Sequence, residues 1–214
     1  KYYEAENDFI DEVIPVYDGL VTEYYKALVA SKFRADLENK WGKHIFNVAD
    51  LKVKTFNDDV LEDLKEENKL QSSYVKLTSS AKILFDGEEK NLSQMRKYFE
   101  SSNRETRKSA QIAVTDFFEE NENEYDEIFD KLVKIRHKIA LKLGFDNFVD
   151  LAYARLRRSG YTSKDVAVFR EQVKSEIVPY ASKLRERQAK RLGLDSLKYF
   201  DESLTFTSGN ATPK

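Results

Sequence analysis

Apolar residues recur every three or four positions along most of the chain, and this spacing predicts a protein built from amphipathic helices. The first helix spans residues 1–30. Pro15 should kink or restart it, because proline lacks an amide donor and clashes with the preceding turn. The apolar positions that define its face are Phe9, Val13, Val16, Leu20, Tyr24 and Leu28.

Three more helices are predicted before residue 80. Two short ones fall near 32–39, with Gly42 as the following stop, and near 44–54. The third opens at residues 57–59, whose sequence Asn-Asp-Asp offers acceptors for the first helical amides, and runs to about Thr78. Its predicted buried residues are Leu61, Leu64, Leu70, Tyr74 and Leu77.

Capping signals mark the helices of the second half. They are predicted near 102–117, 128–143, 148–158 and 162–192, the last of them bent by Pro179. Short polar side chains can cap a first turn, and a glycine can end a helix. The residues expected to do so are Ser102 with Glu105, Gly144, Asp146, Thr162 with Asp165, and Gly193.

Only residues 82–92 depart clearly from the helical pattern. Three apolar residues there precede Asp86-Gly87, a pair favoured in two-residue hairpin turns. Residues 199–206 alternate loosely and give a weak strand signal. The predicted fold class is therefore mainly α, an irregular multi-helix bundle with one short β-hairpin near 82–92.

Composition supports a folded helical chain and narrows its functions. The 214 residues include only 7 glycines and 3 prolines, and 41% are hydrophobic, enough to build a core. We expect one helical segment over 1–214, with a subdivision into 1–101 and 102–214 as the alternative. The formal net charge is only -2, which disfavours nucleic-acid binding.

The absence of cysteine removes several chemistries. With 0 cysteines, the sequence excludes disulfides, Cys-based zinc sites and thiol nucleophiles, and it fits a reducing compartment, so we expect a cytoplasmic protein. No apolar run approaches the roughly twenty residues of a membrane-spanning helix, so no membrane partner is expected. Because the sequence starts at Lys1 rather than methionine, we interpret it as a piece of a longer protein.

Most polar clusters in the sequence are explained better by structure than by chemistry. His44 and His137 do not form the His-Glu-x-x-His spacing that places two imidazoles around zinc. The acidic stretch 119–127 lacks the glycine of a calcium loop, which favours a solvated helix start. The basic stretch 183–191 lacks interleaved aromatic residues for stacking bases, which favours a solvated or internally paired face.

One polar cluster is a candidate for substrate contact. Arg155, Arg157 and Arg158 precede a loop at Ser159-Gly160, followed by Tyr161, and this loop should project them from the end of a helix. The competing interpretation is ion pairing with the acid-rich helices. No glycine-rich phosphate loop and no Gly-x-Ser-x-Gly motif occurs in the sequence.

Two groups of segments carry a resemblance to a known family. The first group is Lys134 to Phe148, Tyr153-Ala154-Arg155 and Arg158 to Tyr161. The second group is Val178-Pro179, Lys183 to Gln188, Arg191 to Asp195, Tyr199 to Glu202 and Gly209-Asn210. These segments resemble the oligoendopeptidase F group of thimet-oligopeptidase-like zinc peptidases, and the resemblance covers the whole chain, weakly before residue 130 and strongly after it.

This resemblance implies an almost wholly helical, clam-like peptidase whose two lobes enclose a channel for short peptides. In such enzymes a helix bearing His-Glu-x-x-His and a later glutamate hold zinc, and the motif glutamate acts as general base. None of these groups maps onto this sequence. We therefore expect this chain to be the portion of such an enzyme that precedes the catalytic motif. It should contain no catalytic residue and no metal ligand and bind no zinc of its own, although the parent protein would use zinc.

The resemblance also sets expectations for partners. Oligopeptide substrates would meet this segment in the full-length protein, and the nominated channel-facing residues are Arg158 and Tyr161, from their loop position. The missing catalytic lobe should cover an apolar patch that involves residues 199–206, through which the isolated segment could self-associate. The alternative is a helical protein-interaction or scaffold module with no peptidase activity.

Overall fold

A computed structural model describes residues 2–211 and confirms the predicted fold class. The described residues form α-helices, two short 3₁₀ turns (Asp58–Val60 and Tyr199–Asp201) and one hairpin of β1 (Ile83–Phe85) and β2 (Glu88–Lys90). The helices are α1 (Tyr2–Asp8), α2 (Ile14–Val29), α3 (Arg34–Trp41), α4 (His44–Lys54), α5 (Leu61–Ser79), α6 (Leu92–Phe99), α7 (Arg104–Glu120), α8 (Glu122–Lys142), α9 (Phe148–Arg155), α10 (Ser163–Gln172) and α11 (Val178–Arg191).

Two π turns accommodate the prolines of the long helices. The turn Phe9–Val13 joins α1 to α2, and the turn Val173–Ile177 joins α10 to α11. In each case proline is the second residue of the helix that follows, Pro15 or Pro179. A π turn admits an extra residue, so the chain continues as a helix where the missing proline amide breaks the regular hydrogen-bond ladder.

The predicted hairpin is present with the expected turn. Asp86 and Gly87 have φ values of 57° and 76°, the two positive values that a type I′ turn requires. The strands pair antiparallel, with Ile83 opposite Lys90 and Phe85 opposite Glu88. Ile83 packs with Met95, Ala110 and Val114 in a buried cluster formed by β1, α6 and α7.

The chain divides into two compact units. The first unit contains the residues up to Tyr74 together with Glu127–Val168, and the second contains Val75–Asp126 together with the residues from Phe169 onward. The subdivision at residue 101 that the sequence left open stays a prediction.

Buried carboxylates tie α5 to α8 and α9 in the first unit. Asp63 accepts ion pairs from Lys138 and Lys142, both at 2.6 Å. Burial alone would raise the pKa of Asp63, but these two hydrogen bonds outweigh it and lower the pKa. The apolar core of this unit contains Val60, Ile139, Ala140 and Leu151.

Small residues, and not the large apolar stripe, form the packed face of α2. Pro15 and Thr22 are buried, and a Cβ on Gly19 would lie only 3.2 Å from the Phe56 ring. Large apolar side chains of the predicted amphipathic face are instead exposed, with Leu20 at 68%. The exposed members, called the α2 stripe below, are Phe9, Val13, Val16, Leu20 and Tyr24.

Asp201 anchors the second unit. Its carboxylate is fully buried and accepts hydrogen bonds from Arg104 (3.1 and 2.7 Å), from Arg107 Nη2 (2.7 Å) and from the Lys198 amide (3.0 Å). Burial alone would raise the pKa of Asp201, but the arginine and amide hydrogen bonds lower it to about 2. This carboxylate fixes the 3₁₀ turn Tyr199–Asp201 to α7.

The strand predicted at residues 199–206 is wrong. The chain forms the 3₁₀ turn at Tyr199–Asp201 instead. The Asp201 carboxylate accepts a hydrogen bond from the Lys198 amide at the start of the turn, and Arg104 and Arg107 hold the same carboxylate in place. Within this stretch Leu204 is buried, whereas Tyr199 and Phe206 are exposed.

Three local assignments differ from the sequence prediction. Asn103, not Ser102, caps α7 by accepting the Thr106 amide, and Asn147, not Asp146, caps α9. For both helices, the asparagine one residue later than predicted makes the cap. Tyr74, predicted to be buried, is 48% exposed.

Within residues 2–211, every helix is too short or too polar to cross a membrane.

Replacing the buried carboxylate of the second unit should destabilise the protein strongly. Asp201→Asn leaves two guanidinium groups facing a neutral amide in a buried site, so we expect the free energy of unfolding to fall by about 3–5 kcal/mol. Urea denaturation measures this change. The matched control is Glu202→Gln, which removes an exposed ion pair to Arg185 and should cost at most about 1 kcal/mol. Equal effects of the two variants would contradict this account.

The same carboxylate should make stability depend on pH. Its pKa is about 2 in the folded chain against an ordinary value of 3.8, so its charge contributes stability above pH 4 that is lost as the pH falls toward 2. The lowered pKa is equivalent to about 2 kcal/mol. Unfolding measured from pH 5 to pH 2 should therefore show the stability difference between wild type and Asp201→Asn shrinking with acid. A constant difference would refute the linkage.

Candidate functional site

The two residues nominated from the sequence lie together in one cavity of the first unit. This cavity, called the Tyr161 cavity below, has a volume of about 480 Å³. It combines part of α4 with the loop after α9 and the start of α10. Its lining residues are Asn47, Asp50, Leu51, Arg158, Ser159, Gly160, Tyr161, Thr162 and Asp165.

Local backbone interactions shape the loop that carries Arg158 and Tyr161. The Arg158 amide donates to the Tyr153 carbonyl at 3.0 Å, and Arg157 takes a positive φ of 55° to end the helical turn. Thr162 and Asp165 then form the predicted capping pair, with the Thr162 amide donating to Asp165 Oδ2 at 2.7 Å. The loop is therefore fixed at both ends, by the end of α9 and by the cap of α10.

Aromatic rings hold the Arg158 side chain. Its guanidinium carbon lies 4.6 Å from the centre of the Tyr153 ring and 5.8 Å from that of Tyr161. The two rings themselves meet edge to face at 6.2 Å. Within the part of the chain that the structure describes, Arg158 forms no ion pair, so its charge is available to a ligand.

Two carboxylates line the same cavity, and each is committed to a structural role. Asp50 accepts both ends of the Arg34 guanidinium, at 2.8 and 3.2 Å, and the Arg34 hydrogen bonds lower its pKa. The hydrogen bonds from the Thr162 side chain and amide lower the pKa of Asp165. Both groups are therefore anionic near neutral pH and engaged with donors of the protein itself, which makes them structural groups and not proton donors.

The other members of the predicted arginine cluster, Arg155 and Arg157, do not line the Tyr161 cavity. Arg155 pairs with the buried Glu67 at 2.9 Å, as the ion-pairing interpretation expected. Sequence reasoning missed the α4 wall of the cavity, formed by Asn47, Asp50 and Leu51. No sequence signal links these residues to a loop more than a hundred positions later.

The described side chains do not fit a zinc site. His44 and His137 are both exposed, on α4 and α8 respectively. Within residues 2–211, no group of three or more histidine, cysteine, aspartate or glutamate side chains could hold a metal ion. No step of a reaction can therefore be assigned to zinc on these residues.

The basic and acidic stretches of the sequence both lie outside the Tyr161 cavity. In the basic stretch, Arg185 pairs with Glu202 at 3.0 Å, and Arg191 donates to the Thr205 carbonyl at 2.7 Å. The acidic stretch ends α7 and begins α8, whose first turn carries Glu122 and Glu124. This position suits negative charge, because the start of a helix carries the positive end of its dipole.

Comparison with known proteins identifies the family. The model of the peptidase M3 N-terminal domain matches residues 1–56, and that of peptidase family M3 matches residues 97–205. A comparison with curated proteins returned no match.

Three solved structures match this chain over its full length. PZ peptidase A with inhibitor 2 is 54% identical with a TM-score of 0.95, and the match covers 100% of this chain and 38% of that one. A protein assigned as oligoendopeptidase F is 51% identical with a TM-score of 0.95, covering 100% of this chain and 38% of that one. Another protein assigned as oligoendopeptidase F, from Bacillus anthracis str. Ames, is 48% identical with a TM-score of 0.93, covering 100% of this chain and 39% of that one.

The chain thus spans less than two fifths of the length of these solved relatives. The family model of peptidase family M3 covers about half of this chain, and the likeness to oligoendopeptidase F covers all of this chain. The chain belongs to peptidase family M3, and its resemblance to oligoendopeptidase F is confirmed.

Proposed function

We propose that this chain is the helical, non-catalytic portion of a cytoplasmic zinc metalloendopeptidase that hydrolyses short oligopeptides, and that it forms part of the substrate channel wall. The observation that carries the proposal is the match to PZ peptidase A at 54% identity over 100% of this chain. Since the match covers 38% of that relative, most of such an enzyme would lie outside these residues. The zinc ligands and the general base would belong to that remainder.

Exposed apolar faces support a larger parent protein. The α2 stripe is exposed, and so is a second row of apolar residues on the helix that runs through α10 and α11. In a protein that functioned alone, contiguous apolar faces of this length would be unusual. We propose that the missing catalytic lobe covers them. The members of the second row, called the α11 stripe below, are Phe169, Ile177, Tyr180 and Leu184.

The Tyr161 cavity supports a role in peptide contact. An arginine without an ion pair among the described residues lies close to two tyrosine rings there, and a cavity of about 480 Å³ accommodates one or two residues of a peptide. We propose that Arg158 and Tyr161 face the channel and bind substrate without taking part in bond cleavage. Asp50 and Asp165 would orient the loop and α4 around them.

The isolated 214-residue chain should not hydrolyse peptides. With zinc and a quenched fluorescent peptide of about eight residues, we expect no increase over the rate without protein, because no described cluster holds the metal. The control is the full-length protein under the same conditions. Cleavage by the isolated chain that requires zinc and stops with a chelator would contradict the proposal, as would a gene that encodes no His-Glu-x-x-His beyond this segment.

Substitution of the loop arginine should weaken substrate binding in the full-length enzyme. Arg158→Gln removes the charge held against the Tyr153 and Tyr161 rings, so we expect KM to rise by about three- to tenfold with kcat nearly unchanged. Steady-state kinetics with the fluorescent peptide measure both constants. The control is Arg187→Gln on exposed α11. A loss of kcat without a change of KM would contradict a binding role for Arg158.

The α11 stripe should promote self-association of the isolated chain. Exposed apolar side chains associate to leave water, so the double variant Ile177→Ser/Leu184→Ser should weaken association by at least about tenfold. Sedimentation equilibrium measures the constant. The control is Leu84→Ser, an exposed apolar residue on the hairpin. A wild-type chain that remains monomeric at high concentration would refute this prediction.

A further inference from the structure

A second cavity of the first unit has no role in the proposed function. It has a volume of about 520 Å³, within the range of small-molecule pockets, and is called the Glu67 cleft below. Part of its wall is apolar, from Phe56, Leu64, Phe148 and Leu156. The charged residues that line it are Asp18, Lys52, Glu67, Arg136 and Arg155.

The charges of the Glu67 cleft do not balance. Lys52 pairs with Asp18 at 2.9 Å, which accounts for one charge of each sign. The remaining carboxylate, Glu67, serves two guanidinium groups, from Arg136 at 2.7 Å and from Arg155 at 2.9 Å. One positive charge is therefore left without a counterion in a partly enclosed site, where water screens it less than at an open surface.

The hydrogen-bonding capacity of these arginines is also only partly used. Arg136 donates from Nε to Glu67, and its two outer nitrogens have no hydrogen-bond partner among the described residues. Arg155 directs Nη1 at both oxygens of Glu67, whereas its Nη2 is buried and lacks a partner within the described chain. Buried donors in proteins are nearly always paired, so this arrangement calls for an acceptor.

The aromatic wall lies beside these donors. The guanidinium carbons of Arg136 and Arg155 lie 5.4 and 6.0 Å from the centre of the Phe148 ring. An apolar group bound against Phe148 would therefore have both arginines close by. The cleft thus offers an apolar surface next to an excess positive charge.

We propose that the Glu67 cleft binds the carboxylate of a small ligand that also carries an apolar group. A carboxylate matches the paired donors of a guanidinium and supplies the missing negative charge. Arg136 would contribute its outer nitrogens, and a small rotation of the Arg155 guanidinium would bring Nη2 to the same anion while Nη1 stays on Glu67. A free carboxylic acid and the C-terminal residue of a peptide both provide this chemistry.

Binding of N-acetyl-phenylalanine to the 214-residue chain tests the proposal. Calorimetric titration should show one site, and the matched neutral probe, N-acetyl-phenylalaninamide, should bind at least about tenfold more weakly. The tripeptide Gly-Gly-Phe distinguishes the two sources of the carboxylate: tighter binding than the acetylated amino acid indicates a peptide terminus, and equal or weaker binding indicates a free acid. Equal affinity for the acid and its amide would overturn the proposal.

A variant locates the binding in the cleft. Arg136→Gln removes the excess charge and keeps the Arg155–Glu67 pair, so affinity for N-acetyl-phenylalanine should fall by at least about tenfold. Arg187→Gln is the control for lost surface charge, and circular dichroism checks the fold of each variant. If Arg136→Gln does not fold, Arg136→Lys keeps the charge without the fork and should weaken binding severalfold.

Unchanged affinity in the folded variant would overturn the assignment. The proposal does not depend on peptidase activity. Its failure would therefore leave the proposed function standing, and inactivity of the full-length protein would leave the cleft intact.

Discussion

Each unit of this chain depends on a buried carboxylate held by two arginines. Glu67 joins α5 to α8 and α9 in the first unit, and Asp201 joins its own 3₁₀ turn to α7 in the second. A buried charge is tolerated only when it is paired, so these groups specify one arrangement of the helices around them. The position of α9 matters for both cavities of the first unit. Arg155 of α9 lines the Glu67 cleft, and the loop that follows α9 carries Arg158, which lines the Tyr161 cavity.

Apolar clusters form the core of each unit, but other large apolar faces stay uncovered. On α2, Gly19 and Thr22 allow close approach of neighbouring chain, whereas the α2 stripe is exposed. The same holds for the α11 stripe. A chain that makes up less than two fifths of its solved relatives would leave such faces for the remainder to cover. The proposed role in a channel wall and the exposed faces thus have the same explanation.

Local signals in the sequence predicted most of the fold. The helix α4 has the predicted bounds, the Asp86-Gly87 pair forms its hairpin turn, and Gly144 and Gly193 end helices with positive φ. Caps were misplaced by one residue, because Asn103 follows Ser102 and Asn147 follows Asp146, and either side chain can accept the same amides. The strand predicted at 199–206 failed because the arginines that fix Asp201 lie almost a hundred residues away.

The candidate site was predictable only in part. The loop position identified Arg158 and Tyr161, but periodicity could not show that Asn47 and Asp50 of α4 form the opposite wall. Periodicity also could not show which face of α2 packs within this chain. Apolar spacing indicates that a face is to be covered, but it does not indicate whether this chain or another part of the protein covers it.

Hydrogen exchange, compared between the isolated chain and the full-length protein, tests the central claim most directly. If the rest of the peptidase covers the α2 and α11 stripes, amides of α2 and α11 should exchange markedly more slowly in the full-length protein, while those around Asp201 change little. Identical exchange of α2 and α11 in the two proteins would contradict the account.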